Sequence, residues 1–292
     1  MDLTEAASRW RSEGFVILPR FLSEIDLEEA RRDLPQQFPA PDQFHGGMDE
    51  TRNERFRGHE FAGLISFPFP LVSLSLLVVH PKIVSFAEAA FGTDDIRIYN
   101  AEAWAKYAGA ADYEQEHHRD YLNHTPLVPS DDWRFRGLEM FLWLAEVPES
   151  SGPTHLVPRS LTADLPPLPH GYRREERADL YENEVSSAGP AGTLVAYGTD
   201  TFHRGTAITD PAGARFSLHI NYRHADNSWT NRVGWGDRSY DPNWKPFAER
   251  LCLRQLELFG FPPPGHPYWT PETLAGMAVR YPEMDLSPWI ST

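Results

Sequence analysis

Short apolar segments separated by polar stretches mark out the elements of this chain. Residues 4–13 read as a short helix, and Phe15-Val-Ile-Leu18 as a strand broken by Pro19. Ser23-Glu-Ile-Asp26 is a capping-box pattern that opens a second helix running to about Leu34. Residues 35–60 are polar and contain Pro, Gly and Asn, which predicts a long loop. Two apolar helical stretches follow, near 71–79 and 81–91, with His80-Pro81 as the break between them. The period then changes. Ile96 to Tyr107, Leu138 to Val147, Gly192 to Tyr197 and Ala214 to Tyr222 are short, β-branched or aromatic, and bounded by Gly, Pro or Asp. Such strands with long loops between them predict a sandwich or jelly roll, mainly β with flanking helices, rather than parallel βαβ units.

No internal repeat or low-complexity linker interrupts residues 1–292, so a single domain is expected. It has a helical part over 1–95, a jelly-roll core over about 96–223 and an extension over 224–292. Past residue 227 the chain is aromatic and Pro-rich, holding five of its nine tryptophans: Trp229, Trp235, Trp244, Trp269 and Trp289. Helices are predicted there near 246–259 and 271–280. This tail is expected to pack on the outside of the β core, with a lid over the site as the rival reading.

Charge and cysteine content narrow the chemistry. Lys plus Arg number 27 against 42 for Asp plus Glu, a net charge of −15, which disfavours nucleic acid and anionic membranes as partners. No apolar run is read as approaching the ~20 residues of a membrane span. The acidic N-terminus lacks the order of a signal peptide, so a cytoplasmic protein is expected. Cys252 is the single cysteine, so a metal would sit on His, Asp and Glu.

Two His and one carboxylate on one face of a metal leave open positions for a co-substrate and dioxygen. On a strand, residues i and i+2 point the same way, so His-x-Asp can deliver two such ligands. The pattern occurs twice, at His118-Arg-Asp120 and His224-Ala-Asp226, and chance alone supplies it in a chain with this much His and Asp. Context favours the first. After Asp120 come further strands, a Gly-Pro-Thr turn, and His203 at a strand end, with Arg215 on the next strand. After His224 only His266 remains, in a Gly- and Pro-rich segment, so His224 and Asp226 read as surface loop residues. His117 should face away from the metal as an ordinary hydrogen-bonded histidine.

The ordered segments EHHRDY (116–121), SGPTHLVPRS (151–160), GTLVAYGTDTFHRG (192–205) and ARFSLHINYR (214–223), preceded by EGFVILPRFL, resemble the phytanoyl-CoA dioxygenase family. These are Fe(II)- and 2-oxoglutarate-dependent oxygenases with a double-stranded β-helix core. The likeness covers about residues 12–223. It implies that His118, Asp120 and His203 bind iron and carry catalysis, with dioxygen as a substrate. It also implies that Arg215 pairs with the distal carboxylate of 2-oxoglutarate and that Thr154 donates to the same co-substrate. Ser217, on the face of the strand that carries Arg215, is a further candidate. Lys106 is a candidate second cation, weighed against a solvated lysine at a strand end. Glu116 stands where relatives often carry Gln and is expected on the metal's face of its strand. The family's Pro-Gly-Ser-His segment is replaced by Pro158-Arg-Ser-Leu161.

The resemblance implies an oxidation, most simply a hydroxylation, of a C–H bond, because Asp120 fills the position that related halogenases leave to a halide. Tyr121, Asn123, Arg134, Arg136, Phe141 and Trp143 are candidates to line a substrate pocket. The acidic charge weighs against a coenzyme A thioester, leaving a small metabolite or natural-product intermediate as the expected partner. Two other classes stay open: a non-catalytic metal-binding sensor, and a cupin-like isomerase or hydrolase using zinc or manganese.

Overall fold

The computed structural model describes residues 2–128, 130 and 132–290. Helix α1 (Leu3–Glu13) starts on Asp2, whose side chain accepts from the Glu5 amide, and stops at Gly14. Gly14 has φ 84°, and a Cβ there would stand 2.9 Å from Thr201 Oγ1, so glycine serves both the cap and a close approach. The predicted capping box is present: Ser23 and Asp26 bond reciprocally at the start of α2 (Glu24–Gln37). This helix runs three residues past the expected end, through Pro35.

The segment read as a loop over 35–60 instead contains α3 (Pro41–His45), α4 (Glu50–Asn53) and a 3-10 turn over Glu54–Phe56. Polar composition hid the anchors. Phe38, Phe44 and Phe56 are fully buried, and Phe44 stacks on Tyr107 at 4.0 Å. Helices α5 (Val72–Val78) and α6 (Pro81–Phe91) fall where expected, with Pro81 in the first turn of α6. Together, Val72–Phe91 is long and apolar enough to cross a membrane, contrary to the sequence reading. It is broken at His80-Pro81, and most of it is buried in the core.

The larger sheet has six strands, β1 (Phe15–Leu18), β2 (Ile65–Ser66), β3 (Ile96–Tyr107), β5 (Leu138–Trp143), β9 (Leu194–Gly198) and β11 (Ala214–His224). Their spatial order is β1-β9-β5-β11-β3-β2. The smaller sheet is built from β4 (His117–His118), β6 (Thr154–Leu156), β7 (Gly171–Tyr172), β8 (Val185–Ser186) and β10 (His203–Gly205), in the order β7-β4-β10-β6-β8. All pairings are antiparallel. Mostly β with flanking helices is therefore the observed class, as expected. Strand β5 ends four residues earlier than predicted, with Val147 held only in an isolated bridge to Gly189.

Alternation along β3 and β11 positions the site. Ala101, Ala103, Ala105 and Tyr107 of β3, with Phe216, Leu218, Ile220 and Tyr222 of β11, join the helices in the main core. The other faces carry Asn100, Glu102, Trp104 and Lys106, and Arg215, Ser217, His219 and Asn221. In an ordinary antiparallel sheet such a face meets water. Here Asn100, Glu102, Lys106, Arg215, Ser217, His219 and Asn221 are all buried, because that face looks toward the smaller sheet.

The tail packs on the outside of the β core. Trp244, Phe247 and Phe259 join the main core and surround Phe67, and the Trp235 indole donates to the Ile98 carbonyl at 3.1 Å. The single helix expected near 246–259 is two, Trp244–Ala248 and Leu253–Glu257. The Pro271–Arg280 helix matches its prediction.

Candidate metal centre

His118 on β4 and His203 on β10 are directly opposed across the ladder of the smaller sheet. Their rings lie 4.5 Å apart by centroid. Each Nδ1 meets a backbone carbonyl two residues earlier in its own chain: Glu116 at 2.9 Å for His118, Thr201 at 3.0 Å for His203. A carbonyl only accepts, so each Nδ1 carries the proton and each Nε2 lone pair is left for another partner. Asp120 reaches both nitrogens, its Oδ1 3.6 Å from His118 Nε2 and its Oδ2 3.3 Å from His203 Nε2. One donor atom from each of the three lies within 4.8 Å of the others, a spacing that could hold a metal ion.

The strand argument for His-x-Asp does not survive. Strand β4 ends at His118, and Asp120 has helical backbone angles, φ −85° and ψ −10°, at the start of a short helix over Tyr121–His124. A turn, not a pleat, brings Asp120 beside His118. Its carboxylate also accepts from the Tyr197 hydroxyl at 3.2 Å. Glu116 does not face the centre either. Its side chain is 65% exposed and pairs with Arg173 at 3.4 Å, so only its carbonyl serves the site. His117 turns away as expected, its Nε2 2.8 Å from Glu184. His224 closes β11 rather than lying in a loop, and Asp226 beyond it is exposed.

Electrostatics within the triad follow burial and the shared carboxylate. Burial lowers His118 to about 4, assisted by the neighbouring His203. At His203 burial also works against charge, but Asp120 outweighs it and the shift is upward. Burial would raise Asp120; the imidazoles of His203, His118 and His124 outweigh it and hold the carboxyl well below its usual range.

The triad opens onto a cavity of about 490 Å³, within the ~300–1,000 Å³ common for small-molecule sites. Lys106, Thr154, Arg215 and Ser217 line it, all four buried. Gly152 at φ 65° turns the chain into β6; a Cβ there would stand 2.4 Å from the Thr206 carbonyl. Arg215 and Lys106 are cross-strand partners. The Arg215 guanidinium has Nε and Nη1 buried with no hydrogen-bond partner, and burial lowers its pKa to about 10. Burial, then repulsion from Arg215, lowers Lys106 to about 7, so a solvated lysine is not what the strand end holds. Two imidazole nitrogens and a carboxylate are a donor set suited to non-haem Fe(II), and a buried guanidinium with two nitrogens lacking hydrogen-bond partners suits a carboxylate.

Of the other candidates, Asn123, Phe141 and Trp143 line the cavity. Three do not. The Tyr121 hydroxyl donates to the Pro167 carbonyl, Arg134 is exposed and paired with Asp132, and Arg136 donates to the Ser130 carbonyl. Sequence reasoning missed Glu102, His124, His219 and Arg232, which also line the cavity. His219 stacks on Phe141 at 4.5 Å and lies 3.0 Å from Glu139. Glu139 is fully buried and also holds the Tyr99 hydroxyl, His124 and the Asn221 amide. Asp120, His124 and Glu139 form a second group close enough to hold a metal, but those partners already engage Glu139. Polar residues at alternate positions of β3 and β11 were the available signal.

Residues 10–216 match the family model described as "Phytanoyl-CoA dioxygenase (PhyH)". No curated protein sequence matches the chain. The fold is similar to that of the non-heme alpha ketoglutarate dependent carbocyclase SnoK from nogalamycin biosynthesis, with a TM-score of 0.57 and 21% identity over 81% of this chain and 89% of that one. It is also similar to the epimerase SnoN from the same biosynthesis, with a TM-score of 0.55 and 20% identity over 76% of this chain and 83% of that one. SnoN has been crystallised in complex with Fe3+, alpha ketoglutarate and nogalamycin RO.

Proposed function

Because the chain belongs to the phytanoyl-CoA dioxygenase family, we propose that it is an Fe(II)- and 2-oxoglutarate-dependent oxygenase acting on a small organic molecule. The observation that carries the reading is the Arg215 guanidinium, with Nε and Nη1 lacking hydrogen-bond partners, buried in the cavity onto which His118, Asp120 and His203 open. A metal-binding module without catalysis has no use for a buried carboxylate clamp.

In this reading His118 Nε2, His203 Nε2 and the Asp120 carboxylate hold the metal. Iron bound with 2-oxoglutarate and dioxygen supplies oxidation of a C–H bond, giving succinate and carbon dioxide as co-products. The residues of the chain do the rest. Arg215 forks the distal carboxylate, and Lys106 adds a second cation beside it. Thr154 and Ser217 donate hydroxyl hydrogens to the same co-substrate. Trp104, Phe141 and Trp143 give the cavity apolar walls that exclude water and orient the substrate. The substrate meets the wall of Glu102, His219 and Arg232. Net charge of −15 favours a small metabolite over a coenzyme A thioester.

Hydroxylation is the reaction proposed. Succinate release from 2-oxoglutarate, with Fe(II) and ascorbate, tests the class; His203→Ala should abolish it. Absence of both iron and 2-oxoglutarate binding in the wild type would end the proposal. A metabolite-extract screen reads the outcome. A mass gain of one oxygen supports hydroxylation, whereas a loss of two hydrogens or an unchanged mass points to desaturation, cyclisation or epimerisation.

A further inference from the structure

Neighbouring residues of a strand face opposite sides, so each cavity-facing group on the smaller sheet has an outward-facing neighbour. His117 precedes His118, Arg204 follows His203, and His155 follows Thr154. These three outward side chains converge on one carboxylate, that of Glu184, the residue before β8. Arg204 grips it with a fork, Nε to Oε2 and Nη2 to Oε1, both at 2.8 Å. His155 Nδ1 lies 2.8 Å from Oε1 and His117 Nε2 lies 2.8 Å from Oε2. Oε1 thus meets Arg204 and His155, Oε2 accepts from Arg204 with His117 Nε2 in ion-pair range but outside hydrogen-bond geometry, and the Glu184 side chain is only 10% exposed.

The ladder itself constrains these strands weakly. β4 has two residues and shares a single register pair with β10, His118 with His203. Strands this short lack the run of alternating pairs that ordinarily sets register. We infer that Glu184 is a positioning residue: by tying His117, Arg204 and His155 to one point, it sets the separation of the strands that carry His118, His203 and Thr154. This inference rests on the metal-centre reading of that triad. A buried ion pair often adds nothing to stability over an apolar replacement, so the convergence is explained better by placement than by stability.

Co(II) titrated into the metal-free full chain, followed by its ligand-field absorption, tests the role in wild type, Glu184→Ala and Glu184→Gln. Circular dichroism melting of each metal-free protein runs alongside. Glu184→Ala should weaken Co(II) binding about 10- to 100-fold, the usual effect of losing a group that orients metal ligands, and should change the Co(II) spectrum. Glu184→Gln keeps the volume and one acceptor oxygen and should recover part of both. It carries the comparison if the alanine variant does not fold. Lower melting temperatures with unchanged Co(II) affinity and spectrum would overturn the positioning role while leaving the metal centre intact. Failure of the wild type to bind Co(II) would overturn the metal-centre reading and this inference with it.

Discussion

Lys106 on β3 and Arg215 on β11 are register partners, and both side chains enter the cavity onto which the His118–Asp120–His203 cluster opens. Arg215 lies over the Trp143 ring but has two buried guanidinium nitrogens without hydrogen-bond partners, so an arriving anion offsets much of its desolvation. Arg215→Ala should therefore weaken 2-oxoglutarate binding by about 10- to 100-fold, the worth of a charge-assisted hydrogen-bonded pair. Arg215→Lys should recover only part of that, because an ammonium cannot form the planar fork. Calorimetric titration of 2-oxoglutarate in the presence of Mn(II) checks both; unchanged affinity in Arg215→Ala would remove the clamp assignment.

Lys106 adds a pH signature. Burial and the adjacent Arg215 hold it down to about 7, so at pH 8 most copies of the free protein carry a neutral amine. A carboxylate placed beside it favours the ammonium. Binding of 2-oxoglutarate at pH 8 should thus take up a proton, and at pH 6, where Lys106 is already charged, it should not. Titrations in two buffers of different ionisation enthalpy measure the uptake. Lys106→Met should abolish it, and equal uptake in that variant would assign the proton elsewhere.

Five of the six strands of the larger sheet and the three candidate ligands were proposed from the sequence, because long strands keep their period and four motifs fall in a fixed order; the two-residue strand Ile65–Ser66 was missed. β3 was read to its exact ends. The smaller sheet was not legible strand by strand: its members are two or three residues long, too short for any periodicity to register. That is also why Asp120 was placed on a strand when a turn holds it. Glu184, eight elements away in sequence from His117, carries no local signal at all. The polar wall was present in the text as N-A-E-A-W-A-K and R-F-S-L-H-I-N, yet alternation does not say whether the polar face meets water or a second sheet.

His219 sits between two carboxylates, Glu139 at 3.0 Å and Glu102 at 3.8 Å. Burial lowers its pKa, but the two glutamates outweigh burial and bring it up to about 9. The ordinary value of 6.5 applies once the chain unfolds. The pairing therefore stabilises the fold fully below pH 6.5 and is lost as pH rises through about 9. Melting of the metal-free protein between pH 6.5 and 9.5 should fall more steeply in the wild type than in His219→Asn. Glu139→Ala, which strands a buried imidazolium, should cost about 3–5 kcal/mol at neutral pH. Parallel pH profiles in wild type and His219→Asn would show that His219 is not charged in the fold.

Arg232 is the tail's sole contribution to the cavity wall among the described residues. Its guanidinium lies 3.5 Å from each oxygen of Glu102, which is otherwise faced by His219 at 3.8 Å. Truncation to alanine opens the cavity beside Glu102 and leaves Glu102 with one cation instead of two. If the tail packs as an outer layer with a single residue reaching inward, Arg232→Ala should leave the rest of the tail folded and cost about 1–3 kcal/mol, as for one lost contact to a buried carboxylate that keeps His219. Affinity for 2-oxoglutarate should stay within about twofold, because the Arg215 end of the cavity keeps all its groups. Turnover of 2-oxoglutarate without a primary substrate should rise as water enters from the opened side. Calorimetry reads the first two quantities and succinate release the third. A loss of 2-oxoglutarate affinity matching that of Arg215→Ala would place Arg232, and with it the tail, in the co-substrate pocket.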